Sequence, residues 1–331
     1  MLYPTQTGPR KDLMDILLET QKDLGGWAWP KIFFILATSE RAGTFSYAPP
    51  SLPNDTTGVV ENRVNGTDLV GETVPDPDYN WTTGKLEART LIYESQIKPL
   101  GGIEKADRHG AKRSFRRAMN KIEIKANATI FSTTRTAAAT TLADQSVVGT
   151  LQAKALALRA YGKPHLYMST EGLTKFLQIP EVRNNMFGQW GPQVAMSLLT
   201  GDQKILLEKL SPLIGFPSIV VYDSQIVGNA NNDYIGIVAL RDEAMAGGEE
   251  IIMTAKEMAM YAFAALYIPD GANQNMPMGI SAGVDYKAKA NLYDATGFYS
   301  LNEIHPDAVA VCKMLPISDY TTPGVVRTIA A

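Results

Sequence analysis

The residues of this 331-residue chain that could do chemistry by their type and spacing lie towards its carboxyl end. The segment GISAG, residues 279–283, has the spacing Gly-x-Ser-x-Gly, which can hold a nucleophilic serine on a sharp turn between a strand and a helix. Asp285 or Asp294, followed by His305, supplies an acid and a base in the order that ester hydrolysis by such a serine uses. Together these residues would form and break an acyl-enzyme.

The elements around Ser281 argue against that chemistry. A nucleophilic serine of this kind needs a strand before it and a helix after it, whereas NQNMPM precedes the segment and VDYKAK follows it. Ser281, the acid and His305 also fall within 25 positions, too few for the strands that normally separate them. The sequence therefore predicts that Ser281, between two glycines, lies in a turn, and a serine hydrolase stays only as an unfavoured alternative.

No other catalytic or metal-binding pattern is visible in the sequence. His109, His165 and His305 are far apart, and each is interpreted as structural. The single cysteine, Cys312, excludes an internal disulfide and thiolate clusters, and it is expected to be a buried thiol. Neither a P-loop nor a dinucleotide-binding glycine pattern occurs. We therefore expect no cofactor, no metal ion and no enzymatic activity.

Length and charge narrow the class of protein. A chain of 331 residues has room for about two domains. Its 31 basic and 34 acidic residues give a net charge of -3, so any attraction to nucleic acid or to a membrane surface would have to be local. No run of eighteen apolar residues occurs, and MLYPTQTGPRKDLMDILLET lacks the pattern of a signal peptide, so a soluble intracellular protein is expected.

A long tract of turn-forming residues is the most unusual feature of the chain. Of the 36 residues at 49–84, 24 are Gly, Pro, Asn, Asp, Ser or Thr and the net charge is -5, yet Leu69, Val70, Tyr79 and Trp81 are scattered through the tract. Burying those few side chains returns less free energy than ordering the backbone costs. We therefore expect another copy of the chain to order the tract, with a plain surface insertion as the alternative.

A helix of unusual length is predicted after the tract. Apolar residues recur at helical spacing over residues 104–131, which gives a rod of about 42 Å. Gly110 should weaken this helix by about 1 kcal/mol and could break it. The opposite face is rich in basic residues, Arg113 and Arg116 among them. That face is either simply solvated or docks an acidic neighbour, for which residues 49–84 are one candidate.

Shorter elements surround these two features. Residues 31–47 and 85–97 favour strands on either side of the tract, and the apolar phase of the second slips at Leu91 and Tyr93, which indicates a bulge or a strong twist midway. HLYM (165–168) is predicted as a strand that leads into a helix. PSIVVYDSQIVG and YIGIVAL are predicted to pair as a hairpin across GNANND, and KAKANLYDATGFYSL and HPDAVAVCKML as late strands.

This order of elements resembles the tailed-bacteriophage major capsid protein, with its Hong Kong ninety-seven-like fold. RSFRRAMNKIEIKANATIF is similar to the spine helix of that family, KPHLYMSTEGLTKFL to a strand and helix of its axial domain, and HPDAVAVCKML to its closing peripheral-domain strand. The resemblance implies an α+β fold in five parts. These are an N-terminal arm (1–30), an extended two-stranded loop with flanking strands (31–100), the spine helix of the peripheral domain (101–132), an axial domain (133–292) and return strands of the peripheral domain (293–331).

The resemblance also implies a function and a set of partners. The chain would be a virion protein that assembles in the host cytoplasm, through hexamers and pentamers, into an icosahedral shell around viral double-stranded DNA. Expected partners are a separate scaffolding protein and a portal, with decoration proteins left open; the DNA would be contacted weakly and no membrane would be involved. The residues expected at contacts between subunits are Trp27, Trp29, Arg63, Leu69, Val70, Tyr79, Trp81, Lys85, Arg113 and Arg116.

A second kind of shell stays open as an alternative. An encapsulin-type compartment would use the same fold but enclose a protein enzyme in place of DNA. Some members of the capsid family join subunits by Lys-Asn cross-links. Lys85 and many asparagines are present here, but no matching motif is, so that chemistry is not expected.

Overall fold

The computed structural model describes residues 27–38, 41–46, 78–142, 146–240, 262–267, 278–303 and 305–320. Within these residues strands and helices alternate through most of the chain. The strands are β1 (Phe34–Thr38), β2 (Ala42–Ser46), β3 (Asp78–Thr82), β4 (Gly84–Tyr93), β5 (Thr140–Thr141), β6 (Lys163–Ser169), β7 (Ile219–Tyr222), β8 (Tyr234–Leu240), β9 (Ala262–Tyr267), β10 (Met278–Asp285), β11 (Ala290–Glu303) and β12 (Val309–Lys313). The helices are α1 (Glu94–Ile97), α2 (Ile103–Ile130), α3 (Thr133–Ala137), α4 (Val147–Leu158), α5 (Thr170–Gln178), α6 (Pro180–Trp190), α7 (Pro192–Thr200), α8 (Gln203–Leu213) and α9 (Ser224–Val227).

The first sheet is built around β11, a strand of 14 residues. β4 pairs with one edge of β11 over the register Gly84↔Tyr299 to Tyr93↔Ala290, while β10 and then β9 occupy the other edge, and β1 follows β9. The pairing of β4 is continuous, so of the two alternatives for residues 85–97 the bulge is wrong, and the strong twist stays a prediction. The strand ends at Tyr93, and α1 begins at the next residue.

The long helix α2 covers this sheet by packing on β11 and β4. Its 28 residues confirm the predicted rod, shifted by one residue at each end. Gly110 does not break the helix. A Cβ atom at Gly110 would lie 2.3 Å from the ring of Tyr293, so the missing side chain lets that ring lie against the helix backbone. The Tyr293 hydroxyl then donates to Asp107 at 2.5 Å, and the Ser114 hydroxyl donates to the Tyr293 carbonyl at 2.8 Å.

The second sheet has the strand order β5-β12-β8-β6-β7. β6 lies between β7 and β8, parallel to the first and antiparallel to the second, so the hairpin predicted for 217–228 and 234–240 is wrong. The chain after β7 instead turns into α9, where the Asp223 carboxylate accepts a hydrogen bond from the backbone N–H of Gln225. Helices α4 and α5 pack on this sheet. Tyr167 and Tyr222 meet with ring centroids 4.9 Å apart, and both rings lie against Phe131 at the end of α2.

Two strands lie in a different sheet from the one that the five-part division implies. β12, predicted as a closing strand of the peripheral domain, pairs with β8 and β5 in the second sheet. β10, inside the segment assigned to the axial domain, pairs with β11 in the first sheet. Cys312 in β12 is buried, as predicted. The division into domains itself stays a prediction.

The remaining pair of strands, β2 and β3, brackets the turn-rich tract. Ser46 and Asp78 are partners in its register, so the chain leaves and re-enters this pair at one place. Residues 1–26 of the expected N-terminal arm, and Arg63, Leu69 and Val70, lie outside the described residues. Among the helices that the structure describes, none is both long enough and apolar enough to cross a membrane.

Candidate functional site

Ser281 lies in the middle of β10, opposite Asp294 of β11. The GISAG segment is therefore extended strand, which is neither the turn predicted from the sequence nor the strand-to-helix turn that a nucleophilic serine needs. Both nearby carboxylates have other partners. Asp294 accepts from the Arg89 guanidinium at 2.8 and 3.0 Å, and this ion pair raises the pKa of Arg89. Asp285 accepts from two backbone N–H groups of the turn that follows β10.

His305 lies far from Ser281. β11 runs without interruption from Asp294 to Glu303, and nine steps of about 3.4 Å separate those residues by about 30 Å. Two residues further on, His305 packs against Tyr161 with ring centroids 5.6 Å apart, and its burial lowers its pKa. The three residues cannot meet, so the serine-hydrolase alternative is wrong. In the described part of the chain, no group of three or more His, Cys, Asp and Glu residues is placed to hold a metal ion.

The residues just before β1 are held against the long helix α2 by hydrogen bonds and a ring contact. The Trp27 indole donates to Asn120 at 2.9 Å and meets Phe115 edge to face at 6.2 Å. The backbone N–H groups of Ala28 and Trp29 donate to the buried carboxylate of Glu123. Trp27 and Trp29 are 7% and 2% exposed, so both indoles are buried within their own subunit. They have little surface left for the contact between subunits that the sequence predicted.

The base of the β2–β3 pair is also packed within one subunit. Trp81 is buried over Gly43, where a Cβ atom would lie only 2.7 Å from the indole. Thr83 donates through its backbone N–H and its hydroxyl to the Arg41 carbonyl, at 2.7 and 2.9 Å. The Arg41 guanidinium in turn lies 4.3 Å from the centre of the Phe298 ring, which ties the pair to β11. Trp81 is therefore packed within its own hairpin, and a further contact with a neighbouring copy stays a prediction.

The other described residues that were predicted at contacts between subunits are Tyr79, Lys85, Arg113 and Arg116. Lys85 is exposed and pairs with Glu87 at 2.5 Å, and Tyr79 is paired through its backbone with Phe45. Arg113 and Arg116 are exposed on α2. That any of these residues meets another copy stays a prediction.

A row of basic side chains follows the exposed face of α2 at intervals of four residues. The row consists of Lys105, His109, Arg113, Arg117, Lys121 and Lys125, all of them exposed. It extends over 20 residues, or about 30 Å of helix. Arg108, Lys112 and Arg116 form a shorter second row beside it. Of the three acidic residues in the helix, Asp107 and Glu123 are buried on the other side and only Glu104 is exposed.

This basic row is not explained by the stability of the helix. A solvated helix gains from opposite charges four residues apart and loses about 0.2 to 0.5 kcal/mol for each pair of like charges. The basic row contains three such Lys/Arg pairs, which together cost about 0.6 to 1.5 kcal/mol. The helix is stabilised instead by its buried face on β4 and β11. Which of the two sequence-based interpretations holds, a solvated face or a docking surface for an acidic neighbour, stays a prediction.

Apolar side chains are exposed at another part of the surface. On α7 and α8, Val194, Met196 and Ile205 are 51%, 52% and 48% exposed. The turn after β10 exposes Tyr286. These residues were not singled out by the sequence, because an exposed apolar side chain has no signature until the buried face of its helix is known.

Two solved structures share the fold of this chain. One is a virus-like particle from Pyrococcus furiosus, which has a TM-score of 0.50 and 8% identity, with 92% of this chain and 98% of that chain covered. The other is a phage-related protein from Bordetella bronchiseptica, which has a TM-score of 0.52 and 12% identity, with coverage of 92% and 97%. No protein-family model and no curated protein matches the sequence. At these identities the likeness shows the fold alone, and it confirms the α+β phage capsid fold expected from the order of elements.

Proposed function

We propose that this chain is the major capsid subunit of a tailed bacteriophage, a structural protein that assembles into an icosahedral head around double-stranded DNA. The observation that carries the proposal is the capsid-type fold, which matches the virus-like particle and the phage-related protein over 92% of the chain. Such a subunit needs no catalytic site, and its activity is self-association.

The β2–β3 pair supports this role. It holds the ends of residues 47–77 together at Ser46 and Asp78, on a base packed by Trp81 and tied to β11 by Arg41. A turn-rich, acidic tract on such a fixed base is suited to lie across a second copy, where Leu69 and Val70 would be buried. The free energy lost in ordering the tract would then be offset by an interface.

In a closed, symmetric shell each modest contact between copies is repeated many times. In a shell of hexamers and pentamers each copy repeats the same few interfaces, so weak pairwise contacts give a stable assembly. The exposed Val194, Met196 and Ile205 offer a further apolar surface for a neighbouring copy or for a separate scaffolding protein. A portal and decoration proteins are further expected partners. Assembly in the host cytoplasm and residence in the virion follow from the same proposal.

Electron microscopy of the purified full chain, with and without a co-expressed scaffolding protein, tests the proposal. We expect closed shells in at least one of the two preparations, and DNA inside particles taken from infected cells. A chain that stays monomeric in both preparations would contradict the role as a shell subunit. Shells that enclose a protein enzyme and no DNA would identify an encapsulin-type compartment instead.

A further inference from the structure

The two sheets of the subunit are held by different sections of α2. In the first half of the helix, the Ser114 hydroxyl donates to the Tyr293 carbonyl of β11 at 2.8 Å. At its carboxyl end the helix meets the second sheet, where Phe131 stacks on Tyr167 at 5.7 Å and Asn127 donates to the Tyr167 hydroxyl at 3.4 Å. A single rod of this kind sets the separation of the sheets. The angle between them about the rod needs a second attachment.

Two connections in the described chain lead from the first sheet and its helix to the second sheet. The first connection, residues 131–139, runs from the end of α2 to β5, and the second connection, residues 305–308, lies between β11 and β12. β5 and β12 are parallel neighbours, with Thr140 opposite Cys312. The two connections therefore enter the second sheet side by side and in the same direction.

Arg135 ties the two connections together where they leave the first sheet. Its guanidinium donates to the Glu303 carboxylate at the end of β11 and to the Pro306 carbonyl at 2.7 Å. It also donates to the Thr129 carbonyl, in the last turn of α2, at 2.7 Å. Only 14% of the Arg135 side chain and 24% of the Glu303 side chain are exposed, so solvent screens this ion pair less than a surface pair.

The rest of the first connection has no comparable side chain. Residues 132–141 read STTRTAAATT, so every side chain except that of Arg135 is Ser, Thr or Ala. Such short side chains bond locally, as when the Thr136 hydroxyl donates to the Ser132 carbonyl at 3.0 Å. The second connection is attached separately to the second sheet, through His305 against Tyr161 at 5.6 Å. The side-chain attachment of the first connection to the end of β11 thus depends on one residue.

We propose that Arg135 is a latch that fixes the angle between the two sheets, and that the two connections act as a hinge when the latch is open. Hinges consist of a few loop or element-terminal residues that absorb changes in backbone angles, a role that the small residues of 132–141 suit. The latch then decides how the β2–β3 pair, tied to β11, faces α8, which packs on β7. The inference goes beyond the proposed function, because it concerns a motion within one copy.

Double electron–electron resonance between spin labels on the two sheets tests the proposal in the full chain. Tyr286→Cys, in the turn after β10, and Leu156→Cys, on α4, place the labels at side chains that are 62% and 60% exposed. Cys312 does not compete for the label, because it is buried and its burial raises the pKa of the thiol to about 11. An excess of unlabelled chain removes distances between copies.

The turn after β10 is far enough from the latch to report a small rotation. β11 extends over about 44 Å from Ala290 to Glu303, so a rotation of about 10° at the latch displaces that turn by about 8 Å. We expect one narrow distance distribution in the labelled chain and a distribution at least about twofold broader when Arg135→Gln is added. Arg135→Lys keeps the charge but lacks the planar fork that reaches separate acceptors, so it should give an intermediate width.

The matched control is Arg89→Gln, which breaks an ion pair with Asp294 that lies wholly within the first sheet. The distribution should keep its width in this variant. Hydrogen exchange of Arg135→Gln should rise in residues 131–139 and 305–308, while β6 and β11 stay protected. These local changes would not follow from a general loss of stability.

Three results would overturn the proposal. The first is an unchanged width in Arg135→Gln, or in Arg135→Lys if the glutamine variant does not fold. The second is an equal broadening in Arg89→Gln. The third is a rise in hydrogen exchange spread over both sheets, which would mean that Arg135 only stabilises the fold. Electron microscopy reports assembly separately, so a chain that never forms shells refutes the proposed function and leaves the latch standing on its own measurements.

Discussion

The buried carboxylate of Glu123 in α2 accepts a hydrogen bond from the backbone N–H of Trp29 at 2.9 Å. A second bond arrives from the N–H of Ala28 at 3.1 Å, and the neighbouring Trp27 indole is held by Asn120. One acidic side chain thus satisfies two backbone donors of the segment that precedes β1. The bonds hold Trp27 and Trp29 against α2, where both side chains are buried within the subunit.

Replacement of Glu123 by alanine should destabilise the subunit strongly. The change leaves two buried backbone N–H groups without an acceptor, at about 1 to 3 kcal/mol each, so the free energy of unfolding should fall by about 2 to 6 kcal/mol. Urea unfolding followed by tryptophan fluorescence measures the change. Glu104→Ala, at an exposed site of the same helix, is the control and should alter stability by no more than about 0.5 kcal/mol. Equal effects of the two substitutions would show that the Glu123 bonds contribute nothing.

The stability of the subunit should also depend on pH through Glu123. Burial raises the pKa of this carboxyl above its usual 4.5, against the opposing effect of the hydrogen bonds from Trp29 and Ala28. The folded state then holds the proton more tightly than the unfolded chain, so the stability that this proton contributes is fully present below pH 4.5 and is lost as pH rises through the folded-state pKa. Wild type should therefore gain stability relative to Glu123→Gln as pH falls from 7 to 4.5, in urea titrations at several pH values. A difference between the two proteins that does not vary with pH would refute the raised pKa.

Gly110→Ala should destabilise the protein although alanine favours helix. The new methyl group would lie 2.3 Å from the Tyr293 ring, and forcing such a contact in a packed core costs about 1 to 3 kcal/mol, more than the gain of about 1 kcal/mol in helix propensity. Gly188→Ala in α6 is the matched control, because no atom lies within 4 Å of a Cβ atom there. That change should stabilise by about 0.5 to 1 kcal/mol. Thermal unfolding of both variants gives the comparison, and a stabilising Gly110→Ala would mean that Tyr293 does not lie against the helix.

Gly43→Ala should loosen the base of the β2–β3 pair. A methyl group at Gly43 would lie 2.7 Å from the Trp81 indole and would have to displace it. We expect greater solvent exposure of one tryptophan, seen as a red shift and increased quenching by acrylamide, together with weaker assembly. Gly279→Ala in β10 has nothing within 4 Å and should leave both properties unchanged. Unaltered quenching in Gly43→Ala would argue against the packing of Trp81 over this glycine.

Replacement of residues 47–77 by Asn-Gly should separate folding from assembly. Ser46 and Asp78 are partners in the β2–β3 register, so a two-residue turn can join them without disturbing either strand. We expect a soluble subunit with the circular dichroism and unfolding midpoint of wild type that no longer forms shells. The control is the same turn inserted between Ser46 and residue 47 with the tract retained. Normal shells from the shortened chain would remove the role assigned to the tract.

Features encoded locally could be read from the sequence, whereas those that depend on distant residues could not. The α2 helix was predicted to within one residue because its apolar spacing is continuous. The reason for Gly110 was not visible, because the ring that it accommodates belongs to Tyr293, 183 positions later. The hairpin of β7 and β8 was predicted wrongly because β6, which separates them, comes much earlier in the chain. Ser281 was placed in a turn by its two glycines, but pairing of β10 with β11 overrides that local preference.

The candidate contact surfaces likewise include features that the sequence predicts and features that depend on distant residues. The four-residue spacing of the basic row is present in the sequence, and exposure of Arg113 and Arg116 agrees with the predicted polar face of α2. Trp27, Trp29 and Trp81 were expected at contacts with other copies because large apolar residues near turn-rich sequence have no obvious local partner. Within the subunit these residues contact Phe115, Glu123 and Gly43, which become neighbours only when the chain folds, and their contact with other copies stays a prediction.

The position of β11 at the centre of the first sheet has a consequence for biosynthesis. Its partner β4 leaves the ribosome roughly two hundred residues earlier, so the first half of the chain must wait, with that edge unpaired, until residue 303 has been translated. The hairpin base and the long helix both rest on this late strand. A nascent chain therefore cannot complete the first sheet, or the support that this sheet gives to the hairpin base and to α2, before β11 has been made.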